Sequence, residues 1–316
     1  MTAMRALVIA GSVVVGAVGL VLASGCGPRR IQPPPVAPAV VTPADTIPGD
    51  LDAVVRIDLG RMLQALGSEV TREVEKRVGG QAADPGGARL VAEAVRQADT
   101  AWFGLRPGFE PELTDNVLVL RGDFADLDVE QYGATPTWGI PVDLGGGWRR
   151  LDRDAPPVRA APARIYRRLD DLLLFVSEAE IDGVELVVER GERVTRVHAP
   201  AEGAVSGAIR APTLARLVRD RAPAAARLLD DARMVSVQLE PPGPGLKGEL
   251  EVEFREPDSA RRAGDATQLL AAALREQGGI EGAIVERIDV SAVGSSLVLR
   301  LELDERDLAV IAAVLR

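Results

Sequence analysis

The chain has 316 residues, a net charge of −10, 47% apolar and 27% charged residues, and 3% aromatics. That balance belongs to a globular protein and argues against a general nucleic-acid binder, which needs clustered Lys and Arg and stacking aromatics. One cysteine and one histidine leave no disulfide framework within the folded part and too few ligands for zinc.

Arg5 precedes an apolar run, Ala6 to Ala23, that ends in Leu22-Ala23-Ser24-Gly25-Cys26. A positive start, a short apolar core and small residues at its end form a secretory signal. With the sole cysteine closing it, the stretch resembles the lipobox of bacterial lipoproteins. The resemblance implies that residues 1–25 are a signal peptide and that Cys26 becomes the acylated N-terminus, carrying diacylglycerol and palmitate-type chains. Ala23 stands where that family more often has Leu. Gly27 stands where an Asp would favour retention in the inner membrane, so the resemblance implies the outer membrane. Two other readings stay open: a spanning anchor, for which the run falls just short of the usual ~20 residues, and an ordinary cleaved signal.

Residues 26–46 form a tether. Pro33-Pro34-Pro35, Pro38 and Pro43 favour extended polyproline II. At about 3.1 Å per residue it reaches up to roughly 60 Å from a membrane.

The first half covers residues 47–190. Ala53 to Ile57 reads as a strand, and Asp58 caps a helix with Met62, Leu63 and Leu66 on one face. A Gly/Pro break at 79–87 leads to a helix over Ala88 to Gln97. Trp102 to Leu105 and Val117 to Leu120 read as paired strands. The stretch holding Trp138, Gly145-Gly146-Gly147 and Trp148 reads as looser chain. Arg164 to Tyr166 and Leu172 to Val176 read as strands. Ser177 and Glu180 then form a capping-box pattern before Ile181, Val184 and Val188.

The second half covers residues 191–316. Ala204 to Ile209 is a strand, and Pro212 opens a helix. Val235, Val237 and Leu239 alternate along a strand. Leu250, Val252 and Phe254 alternate with Glu249, Glu251 and Glu253, a half-buried strand with an acidic outer face. Pro257 opens a long helix. Ile288 and Val290 pair with Leu297 to Leu303 as a hairpin, and Asp304 caps a final helix with Leu308, Ile311 and Leu315. The expected class is α+β, antiparallel sheets with helices packed on one side. The order is compatible with two tandem copies of a strand-helix-strand-strand-helix-strand-strand-helix unit.

No catalytic set stands out, and no cofactor motif is present. His198 lies in a charged, Pro-flanked loop, and a hydrolytic triad needs a positioned base. The pairs Asp170-Asp171, Asp230-Asp231 and Asp304 with Asp307 lie where turns and caps place acids anyway. Against the acidic background one segment reverses sign: Arg149, Arg150, Arg153, Arg159, Arg164, Arg167 and Arg168. Arginine forks suit phosphate and carboxylate, so Arg149, Arg150, Arg153, Arg164, Arg167 and Arg168 are the candidate anion-binding residues. The bland alternative pairs them with neighbouring aspartates. The sequence favours a non-enzymatic envelope binding or assembly module. Its partners are the membrane, through Cys26, and an anionic envelope component. An unrecognised secreted enzyme and a carrier of an apolar ligand are the alternatives.

Overall fold

Leu172–Val176 is buried at every position, so a strand here needs cover on both faces. The computed structural model, which shows how that cover is built, describes residues 42–62, 64, 85–107, 115–129, 138–154, 162–192, 197–220, 222–240, 245–304 and 307. The signal, Cys26, most of the tether and the expected final helix lie outside these residues. The chain divides into two units, with the boundary between His198 and Ala199.

In the first unit the strands are β1 (Ala53–Asp58), β2 (Ala98–Arg106), β3 (Asp115–Gly122), β4 (Val142–Gly145), β5 (Trp148–Asp152), β6 (Arg164–Arg168) and β7 (Leu172–Val176). They lie in the order β1-β2-β3-β7-β6-β5-β4, each antiparallel to its neighbour. Asp58 ends β1 as expected, with Oδ1 accepting the Arg61 N–H at 3.0 Å. Helix α1 (Pro85–Gln97) packs on one face, where Leu90 and Ala94 meet Leu118, Leu120, Ile165, Leu173 and Phe175. The loop residues Phe124 and Leu127 complete this core.

The other face carries Val117, Val119, Leu172, Leu174 and Val176, all buried. Its cover has two parts. One is a strap over 42–51, a 3-10 turn (Pro43–Thr46) followed by buried Ile47 and Leu51. Gly104 permits its close approach: a Cβ there would lie 2.5 Å from Leu51 and 2.7 Å from Ile47. The other is a helical run over 178–189, in which a 3-10 turn leads to α2 (Ile181–Val184) and then a π turn. The first unit thus adds a second cover to the expected helix layer.

Two sequence-based details change. The expected capping box at Ser177 and Glu180 is not formed. Ser177 Oγ instead accepts the Asn116 N–H of β3 at 3.1 Å, and Glu180 reaches Arg106. The stretch read as loose chain is the β4–β5 hairpin, turned at Gly145-Gly146-Gly147, which have φ of 79°, 59° and 82°. Only glycine adopts three successive left-handed residues at low cost, and Trp148, the first residue of β5, is buried.

In the second unit β8 (Val205–Arg210), β9 (Ala232–Glu240), β10 (Gly245–Phe254), β11 (Ile288–Val293) and β12 (Ser296–Asp304) lie in the order β8-β9-β10-β12-β11, again antiparallel. Helices α3 (Ala211–Val218), α4 (Pro223–Leu228), α5 (Pro257–Gln277) and α6 (Gly279–Glu286) connect them. Ala211, Ala260 and Ala263 pack on Val235, Val252, Phe254 and Leu297. The opposite face is polar, with cross-strand pairs Lys247–Glu302 at 2.9 Å and Arg300–Glu249 at 2.7 Å. The orders β1-β2-β3-β7-β6 and β8-β9-β10-β12-β11 are the same path, and the first unit extends it by the β4–β5 hairpin. Beyond β12, Asp304 and Asp307 exchange backbone-to-carboxylate hydrogen bonds at 3.1 and 2.8 Å.

Candidate functional site

Strand alternation sorts the arginine-rich segment. Side chains two apart share a face, so Arg150 and Asp152 on β5 lie opposite Tyr166 and Arg164 on β6, beneath the 178–189 run. Arg149 and Arg167 point to the α1 face. The segment is therefore two groups rather than one patch.

Beneath the helical run the charges pair closely. Arg150 donates to Asp152 at 3.1 Å and to Glu189 at 2.8 Å. Arg164 donates to Asp152 at 2.6 Å, to Tyr166 Oη at 3.0 Å and to Glu185 at 2.5 Å. Tyr166 donates its hydroxyl to Glu189 at 2.8 Å. Glu185 and Glu189 are four residues apart on the run and reach the sheet together. Two guanidiniums thus face three carboxylates, which leaves this cluster no positive charge for an outside anion. Burial works against charge on Arg150 and Arg164. Their partners, the carboxylates at both and Tyr166 at Arg164, outweigh it and raise both above the ordinary arginine value. Burial also pushes the Tyr166 phenol well up, so it stays a neutral donor. The arrangement holds charge in place between the two strands and the helical run.

On the α1 face Arg167 gathers the loop beneath it. It donates to the carbonyls of Leu127 at 3.0 Å, Phe124 at 3.1 Å and Leu169 at 2.8 Å, and pairs with Asp170 at 2.5 Å. Arg153 lies over the Trp138 ring, 5.8 Å from its centroid. Arg149 is exposed, and Arg159 lies outside the described residues. Arg168 has its Nε buried and donating to no acceptor among the described residues, and its cross-strand partner is Trp148.

A second charged group escaped the sequence reading. Arg106, at the end of β2, donates to Glu180 at 2.9 Å and to Asp50 at 2.6 Å. It ties the strap to the helical run across the covered face. Burial raises the Glu180 carboxyl, and Arg106 only partly opposes this. Spacings of 56 and 74 residues hide such a link from any local pattern.

No family model matches the chain. No curated protein sequence matches it either. Among solved structures it is similar to crystal form I of TP0453, with TM-score 0.49 and 9% identity over 87% of this chain and 99% of that one. Crystal form III of TP0453 gives TM-score 0.46 and 10% identity over 87% of this chain and all of that one.

The remaining candidates take ordinary places. His198 is exposed. Asp170 lies in the β6–β7 turn and Asp230 in the turn before β9. Among the described residues no group of three or more His, Cys, Asp or Glu is placed to hold a metal ion. No described helix is long and apolar enough to cross a membrane. On the polar face of the second unit, Met234, Ser236, Glu251 and Glu253 line a shallow dip of about 70 Å³, too small for a metabolite.

Proposed function

We propose that this chain is a lipid-anchored, non-enzymatic binding or assembly module of the bacterial envelope, held to the outer membrane through Cys26. The observation that carries this reading is the sole cysteine, placed where an apolar signal core ends and a proline-rich tether begins. The way the tether enters the fold supports it. The described chain starts at Thr42 and within a few residues is buried at Ile47 and Leu51. Asp52 N–H then bonds the Leu105 carbonyl at 3.1 Å as β1 begins. A lipid at Cys26 would thus hang from the sheet itself rather than from a fraying end.

Metabolic labelling with an alkyne fatty acid tests the anchor. The wild-type protein takes up label and partitions with outer membranes. Cys26→Ala takes up none and is found in the soluble fraction. Equal labelling of the two proteins overturns the proposal.

A further inference from the structure

We infer that Trp148 and Arg168 form an oxyanion-binding subsite, which takes a phosphate or carboxylate group at the end of the first unit's sheet. The two residues are directly opposed on β5 and β6, so their side chains leave the sheet side by side on one face. Trp148 is 1% exposed, and its indole Nε1 has no hydrogen-bond acceptor among the described residues. The Arg168 Nε beside it is likewise buried and without an acceptor, although the residue as a whole is half-buried. Buried donors of this kind are nearly always paired, because leaving one unpaired is costly.

The chemistry of the missing partner follows from the donors. An indole N–H and a guanidinium only donate, and the guanidinium is always charged. Two adjacent donors, one of them cationic, call for an acceptor with negative charge and more than one oxygen. A phosphate or carboxylate meets that need, with one oxygen toward the indole and another on the guanidinium fork. The neighbouring cations cannot play this part. Arg150 and Arg164 face three carboxylates, and Arg167 is held by Asp170 and three carbonyls. Tyr166 packs edge-on against Trp148, with ring centroids 6.3 Å apart, and fixes the indole in place. Arg168 as a whole is only half-buried, so solvent reaches part of the residue. The subsite gives the envelope-binding reading above its ligand chemistry and rests on it, but its test does not depend on lipidation.

The test follows the three indole N–H signals of the ¹⁵N-labelled full-length protein in non-ionic detergent. Trp148→Phe identifies the relevant signal by its loss. The protein is titrated with inorganic phosphate and, separately, with a short-chain phosphatidylglycerol below its micelle concentration. Sodium chloride at matched ionic strength is the control. The Trp148 signal moves saturably with an oxyanion ligand, while those of Trp102 and Trp138 stay in place. Arg168→Gln weakens the response at least about ten-fold, as expected for loss of a charged hydrogen bond, and Arg149→Gln leaves it unchanged. Asp171→Asn, which removes an exposed like charge from the adjoining turn, strengthens it. Movement with phosphate assigns the site to a free anion, and movement with the lipid alone assigns it to a headgroup. Unchanged Trp102 and Trp138 signals show that each variant is folded. A Trp148 signal that moves no further than in chloride overturns the assignment, as does one that responds equally in Arg168→Gln.

Discussion

Removing Arg106 tests whether the strap and the helical run are clasped by charge. Arg106→Ala leaves Glu180, which is 2% exposed on its side chain, without its cation. Breaking a buried pair from one side costs about 3–5 kcal/mol. The Arg106 side chain is 39% exposed, so water reaches the gap and the expected loss is nearer 2 kcal/mol. For a unit of this size that is roughly 4–8 °C in Tm. The loss depends on pH in a definite sense. Burial raises the folded-state Glu180 carboxyl above its unfolded value, and Asp115, which Arg106 also faces, is raised for the same reason. Folding thus binds protons as pH climbs out of the ordinary carboxylate range, and stability falls through that window. Without Arg106 the raised values go higher still and the fall is larger. The variant is therefore close to wild type at about pH 3, where these carboxyls are largely protonated in either state, and clearly weaker at about pH 7.5. Glu180→Gln added to Arg106→Ala restores at least about half of the loss at the higher pH. Tryptophan fluorescence in urea is a selective assay, because Trp102, Trp138 and Trp148 all belong to the first unit. Equal losses at the two pH values, or no recovery in the double variant, would refute the charge clasp and leave Arg106 as packing alone.

Two smaller perturbations probe the same covered face. Gly104→Val puts side-chain atoms where Leu51 and Ile47 already lie, and lowers stability by about 1–3 kcal/mol in thermal unfolding. Tyr166→Phe removes the hydroxyl between Arg164 and Glu189 and lowers stability by about 1–2 kcal/mol, read from the urea midpoint without a change in slope.

Elements with a local signature were legible in the sequence. Alternation along Leu250, Val252 and Phe254 identified β10 and its polar outer side, and Asp58 marked a helix start. The β4–β5 hairpin was not legible, because its three glycines look like loose chain until each takes a left-handed backbone. The helical run over 178–189 was legible as a helix, but its use was not. Glu180 read as half of a capping box, whereas it meets Arg106 on a distant strand, and Glu185 and Glu189 likewise each meet an arginine. The arginine segment was legible as composition only. Period-two alternation along Trp148 to Asp152 and Arg164 to Arg168 contained the division into two faces, once both stretches were read as strands. The pairing of Trp148 with Arg168 depends on hairpin register, which no single stretch encodes.

The double cover of the first sheet has a consequence for the order in which the chain can complete itself. Pro48 in the strap lies against Gly183, and Arg106 holds Asp50 and Glu180 together. A chain delivered from its N-terminus presents the strap first and the helical run more than a hundred residues later. Until residue 189 has been delivered, Ile47 and Leu51 have a sheet beneath them but no closing partner beside them. Contacts between segments so far apart form slowly, because loop closure must come before the contacts can stabilise it. The end of the domain nearest the tether is thus among the earliest parts to be made and among the last to be sealed.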